Sequence, residues 1–134
     1  MKKLTLALTV IVAALFVFFG VQKFGATNII FSTIADRSGI SLFEPVIRIF
    51  TGVAEIATAI LILVPRTRLL GAAGGVALVG GAIGFHLSPW LGINVPGIGH
   101  GLFITALVLF LLSAVLAVLL RKQGHTLFSG QKNV

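Results

Sequence analysis

The chain has 134 residues, of which 57% are hydrophobic and 10% charged, with a formal net charge of +7 and no cysteine. A domain this small cannot hide so much apolar surface in a water-facing core, so the bilayer has to be its solvent. The missing cysteines exclude disulfides, thiol redox chemistry and cysteine-based metal sites. The basic residues sit at the ends of apolar runs, which fits membrane topology and argues against nucleic acid as a partner.

A span needs about 20 mainly apolar residues to cross about 30 Å of hydrocarbon. Four runs meet that length, and the expected fold is an all-α bundle of four transmembrane helices in one domain. The first runs from Leu4 to about Phe24. Lys2 and Lys3 before it resemble the start of a signal peptide, but the apolar run is long and no small-x-small cleavage site follows, so an uncleaved helix is expected. The next connection is long for so small a bundle. Asn28 is placed to cap a short helix carrying Ile29, Ile30, Phe31 and Ile34 in the outer interface, with Gly39 as its stop; an ordinary outer loop is the simpler alternative. Ser41-Leu-Phe-Glu44 reads as a capping box, with Pro45 in the first turn of a second span over about 42–64. A third span covers about 69–87 and a fourth about 101–120, with Trp90 as an interfacial anchor between them. Residues 121–134 read as a loose polar tail.

Lys2, Lys3, Arg66, Arg68, Arg121, Lys122 and Lys132 fall on one side of this arrangement, and Lys23, Arg37 and Arg48 on the other. The positive-inside rule then puts both termini in the cytoplasm, in a bacterial inner membrane. The third span carries small residues at four-residue spacing: Gly71 with Gly75, Gly80 with Gly84, and Ala73, Ala77 and Gly81. Ser113 and Ala117 repeat the pattern in the fourth span, and such faces allow close helix packing.

Charged groups at membrane depth cost about 2.5–3.5 kcal/mol even on mild scales, so each asks for a partner or a function. Glu55 falls near the middle of the second span. Arg48, Thr51, Glu55 and Thr58 share one stripe of that helix, which should face the bundle interior. Lys23, His86 and His100 lie at outer ends of the other three spans. Together Lys23, Arg48, Glu55, His86 and His100 outline a ligand pocket open to the outside, with Glu55 at its floor. Each residue also has a simpler reading. Lys23 and Arg48 can snorkel to headgroups, His100 can be interfacial, His86 can be a structural hydrogen-bond donor, and Glu55 can be a neutral carboxyl joining two helices. Glu55 is expected to be ionised only if Lys23, Arg48 or His86 touches it directly. No metal-ligand spacing, phosphate loop or nucleophile–base pattern is visible, so no metal site is expected and no catalytic residue is assigned.

Gly20-Val-Gln-Lys23, Gly52-Val-Ala-Glu55, Leu61-Ile-Leu-Val-Pro-Arg66 and Gly84-Phe-His86 resemble motifs of the DoxX-like family of small four-helix membrane proteins. The resemblance implies a quinone-linked membrane subunit or an assembly factor. The chain holds no electron carrier of its own, so a quinone or a partner subunit would carry any electrons. The leading expectation is therefore a membrane protein binding a small amphipathic ligand, quinone-like or lipid-like. The alternative is a scaffold that packs against other membrane proteins or against copies of itself. A transporter is a third, weaker option, because no inverted repeat is visible.

Overall fold

The structure is a computed structural model that describes residues 2–128 and 130–131. Among the described residues its regular structure is helical apart from one two-residue strand pairing and an isolated bridge between Val95 and Gly99. Its elements are α1 (Lys2–Gln22), α2 (Ile29–Ser38), a 3₁₀ turn (Ser41–Phe43), α3 (Val46–Leu63), α4 (Arg68–His86) and α5 (Gly101–Lys122); β1 (His125–Thr126) then pairs antiparallel with β2 (Gly130–Gln131). Four of these stretches, including Ser41–Leu63, are long and apolar enough to cross a membrane. The protein is an integral membrane four-helix bundle, as composition and run length required.

In the bundle α1 packs on α3, α3 on α4, α4 on α5, and α5 back on α1. The helices are apolar nearly all round, so amphipathicity does not choose the inward face. Shape does, because dispersion between well-fitted surfaces is what holds helices together in lipid. Along α1 the buried positions step by about one turn through Thr5, Leu8, Val12, Phe16 and Gly20. Phe16 is wholly buried because Gly75 leaves room for its ring, and a Cβ at Gly75 would lie 2.9 Å from that ring. Gly20 and Gly52 bring α1 and α3 together in the same way, since a Cβ on Gly52 would sit 3.1 Å from the Gly20 carbonyl oxygen.

The small-residue pattern of α4 divides in two. Gly71 packs so closely on α3 that a Cβ there would lie 2.6 Å from the backbone nitrogen of Ile62, and Gly75 meets Thr58 at 3.5 Å. Farther along, Gly80 meets only Phe110 at 3.6 Å, a Cβ on Gly81 or Gly84 would meet nothing within 4 Å, and Ala73 and Ala77 are exposed. Among the described residues, Gly80 thus packs loosely on α5, while Gly84 and the Ala73–Gly81 row are left on the surface. The consequence is geometric. α3 and α4 are locked together beside their short connecting turn and are not held by glycine contacts at their other ends.

At those other ends lies α2. Asn28 caps it by accepting from the Ile30 N–H at 2.9 Å, and Gly39, at φ 74°, ends it with its own N–H on the Ala35 carbonyl. Only glycine adopts that left-handed geometry freely. Phe31 and Ile34 are buried, so α2 turns its apolar face onto the bundle, where Ile34 joins Phe43, Leu91 and Val95 in a second core cluster. Trp90 belongs to the same end, 6.3 Å from both Phe43 and Phe85. The expected capping box does not form. No side chain caps the start of α3 or of the 3₁₀ turn, and Glu44 is engaged elsewhere. At the opposite end Gln123 donates to Thr5 Oγ1 at 2.7 Å and His125 is buried, so the chain after α5 turns back onto the bundle. Lys132 lies outside the described residues.

Gly71→Leu should destabilise the bundle by about 1–3 kcal/mol, the usual cost of overpacking, because backbone rather than a movable side chain faces the new atoms. Gly84→Leu, facing open space, should leave the unfolding midpoint in detergent unchanged.

Candidate functional site

Two charged assemblies organise the α2 end. The first centres on Arg48, only 2% exposed. Its Nε donates to Glu44 Oε1 at 2.6 Å, Nη1 donates to the carbonyls of Lys23 and Gly25, and Nη2 to that of Ala26 at 3.2 Å. These three carbonyls lie in the connection after α1, and a backbone carbonyl taken out of water needs a donor. Arg48 thus pins the connection between α1 and α2, using four of its five N–H donors. Glu44 completes the assembly by accepting from the backbone N–H of Asn28 at 3.3 Å through its other oxygen. The stripe position of Arg48 does face inward, yet it binds backbone and Glu44 and is absent from the lining of the cavity described below.

The second assembly is the ion pair of Lys23 and Glu55. Lys23 Nζ lies 2.8 Å from Glu55 Oε2 and donates to Oε1 at 3.0 Å, and it also donates to the Phe19 carbonyl at 3.2 Å. Their side chains are 12% and 13% exposed. Glu55 sits nine residues into α3, roughly 14 Å from its start. Lys23 can reach it because α1 ends well short of the α2 end of α3, at the level of Gly52. Of the three cations expected near Glu55, Lys23 is the one in direct contact, so Glu55 belongs to an ion pair and is not a lone neutral carboxyl. Its Oε2, in contact with the ammonium, still receives no directed hydrogen bond.

This pair lies in the wall of a cavity of about 310 Å³ to which all four spans and α2 contribute. Its walls are apolar apart from Lys23, Glu55, Thr51, Thr105 and His86. Both threonine hydroxyls donate back to carbonyls four residues earlier, at 2.8 Å, which leaves their oxygen lone pairs as acceptors. His86 is 5% exposed, and its Nδ1 lies 2.9 Å from the carbonyl oxygen of Gly92. A carbonyl oxygen only accepts, so Nδ1 carries the proton, and in the neutral ring Nε2 is left as an acceptor. Gly92 can present that carbonyl because it adopts φ 82°. Residues Ile30, Phe31 and Ile34 of α2, with Leu91, line the cavity too.

Of the five residues singled out in the sequence, Lys23, Glu55 and His86 come together at this cavity. Arg48 stands behind it, and His100 is exposed at the start of α5 without a capping hydrogen bond or a place in the lining. Sequence reasoning missed Thr105 and the role of Glu44. The four-residue spacing of Glu44 and Arg48 was the available signal for the latter, since such pairs face each other on a helical turn. Among the described residues no cluster of His, Asp and Glu could hold a metal ion.

Comparison with known proteins adds one finding. The family model of methylamine utilisation protein MauE matches residues 1–95, which includes α1 to α4 and therefore Lys23, Glu55 and His86. The chain belongs to this family of small multi-span membrane proteins; the DoxX-like family that its motifs resemble is not the one matched. No curated protein and no solved structure matches the chain.

Breaking a buried pair strands a charge and costs about 3–5 kcal/mol, whereas removing both partners is far milder. Glu55→Gln and Lys23→Met should therefore each destabilise the bundle about as strongly as Glu55→Ala. The Lys23→Met/Glu55→Leu double variant should regain most of the loss, as read from unfolding in a denaturing detergent. Additive losses would mean that the two groups act independently.

Proposed function

We propose that this MauE-family chain is a membrane-embedded binding protein whose cavity takes one small amphipathic molecule, quinone-like or lipid-like. The observation that carries this reading is the position of the Lys23–Glu55 pair. A pair serving only as packing glue would be sealed in a closed core, whereas this one forms part of a cavity wall. A cavity of about 310 Å³ lies at the small end of the ligand-site range, which starts near 300 Å³. Its apolar walls suit a hydrocarbon tail or ring. Lys23 has N–H capacity to donate, and Glu55 Oε2, His86 Nε2 and the threonine oxygens accept, so a headgroup that does both is best satisfied.

The family name ties its members to methylamine utilisation, and we place the chain in such a setting as a membrane component of a redox system. It has no cysteine, so electrons would pass through the ligand or a partner subunit. A second reading, a scaffold for other membrane helices, is favoured by the small-residue face of Ala73, Ala77, Gly81 and Gly84, which is exposed among the described residues.

Native mass spectrometry of the purified protein decides between them. The wild-type chain should retain an amphiphile of defined mass at about one per chain, as one cavity of this size allows. Ala106→Phe, which fills the cavity from α5, should lose it while keeping its unfolding midpoint. Identical adducts on both proteins, or none on either, would leave the scaffold reading.

We also place the α2 end outside the cytoplasm, on the seven-to-three distribution of Lys and Arg between the two ends. In spheroplasts an impermeant thiol reagent should label Asn94→Cys and spare Thr67→Cys, and the reverse result would invert the topology.

A further inference from the structure

The cavity has a roof, and it also has a side. The roof is α2, fixed at both ends. Near its start Glu44 and Arg48 hold the backbone of residues 23–28, and near its finish Arg37 donates to the Leu91 carbonyl at 3.0 Å. Its cavity-facing residues are large and apolar: Ile30, Phe31 and Ile34. The side is different. Among the described residues that line the cavity, those exposed at the protein surface are Ala77, Gly81 and Ala82, and all three belong to α4. They are the smallest side chains available, and a Cβ on Gly81 would meet nothing within 4 Å. This stretch lies beyond Gly71 and Gly75, where glycine contacts no longer hold α4 against α3.

We infer that the cavity is filled sideways, from the bilayer, through a portal beside Ala77, Gly81 and Ala82, and not from the water above α2. The inference rests on the binding reading above and specifies its substrate class: an amphiphile already dissolved in the membrane, on the leaflet at the α2 end. Three observations converge on it. The exposed rim of the cavity lies on the wall of a membrane-spanning helix, where acyl chains are the neighbours. The rim carries no charge or hydroxyl that would favour a hydrated solute. The polar groups sit elsewhere in the wall, just after α1, on α3, at the end of α4 and on α5, so a headgroup can exchange the leaflet's polar region for Lys23 and Glu55 while its tail stays in apolar surroundings. Residues without side-chain bulk at the rim keep the passage open at no cost in buried polar groups.

The absence of native cysteine gives a clean test. Thr51→Cys introduces a thiol of similar size into the cavity wall. The protein is reconstituted in phosphatidylcholine vesicles and treated with N-phenylmaleimide or with a sulfonated maleimide present on both faces, each rate being taken relative to the detergent-unfolded chain. A lateral portal predicts labelling by the apolar reagent about a hundredfold faster than by the charged one, the penalty expected for carrying a charge through hydrocarbon. Gly81→Trp should slow the apolar reagent about tenfold by plugging the rim, since a packed interior leaves no alternative channel. Gly84→Trp, exposed on the same helix but outside the cavity lining, should not slow it. Equal relative rates for the two reagents would show access from water, and an unaltered rate in Gly81→Trp would show a different passage; either overturns the portal and leaves the binding reading intact. If neither reagent reaches the folded chain while both label it after unfolding, the cavity is sealed and the binding reading fails with it.

Discussion

Charge inside hydrocarbon has to be answered by the protein itself, and the architecture at the α2 end follows from that constraint. Arg48 is almost wholly buried, and its answer is Glu44 together with the carbonyls of the connection after α1. That choice holds the chain that leads from α1 to α2 and leaves the other oxygen of Glu44 to accept from the Asn28 N–H at the start of α2. Because α1 stops early, Lys23 is left beside the middle of α3 and not at its end, which is what puts an ammonium within 2.8 Å of Glu55. The roof and the polar wall of the cavity thus meet where α1 gives way to the connection that Arg48 holds.

The hollow itself comes from uneven packing. Glycines 71 and 75 draw α4 onto α3 and Phe16 near one end, while larger residues such as Ile47, Leu78 and Phe85 stand between the helices near the other. In lipid there is no water to squeeze the gap shut, so two helices stay apart wherever their surfaces do not fit. α2 and the loop after α4 cover the opening from above through a separate apolar cluster. The molecule is therefore tightly built at one end and roofed, but not filled, at the other.

Much of this could be read in the chain. Span positions followed from run length, and Asn28 and Gly39 marked the ends of α2 because each does a job that few residues can do. Glu55, Lys23 and His86 were conspicuous because polarity is costly where they sit. What sequence could not supply was the choice among competing partners. Glu44 has the spacing of a capping box with Ser41 and also of an ion pair with Arg48; the buried guanidinium, with more to lose, takes it. Arg48 was grouped with Glu55 because both share a helix stripe, but the carbonyls after α1 that it binds belong to another part of the chain and leave no mark near residue 48. The small residues of α4 look alike in sequence, and only the three-dimensional arrangement separates those that touch α3 and α1 from those that touch nothing.

The separation of Lys23 from Glu55 along the chain bears on how the protein is made. A ribosome delivers α1 and the connection after it first, so the Lys23 ammonium and the carbonyls of Lys23, Gly25 and Ala26 are in place before α3 exists. Lys23 can wait at the headgroups, where a long cationic side chain reaches water easily. When α3 follows, it must carry both a carboxyl and a guanidinium into the membrane. The Lys23 ammonium and the carbonyls that Arg48 binds are already there, just after a helix that packs directly against it, and Glu44 arrives immediately ahead of Arg48. Synthesis in this order lets each costly group be captured as it arrives. A circular permutant that delivered α3 ahead of α1 would ask the insertion machinery to bury Glu55 before Lys23 exists, and Arg48 with Glu44 alone to receive it.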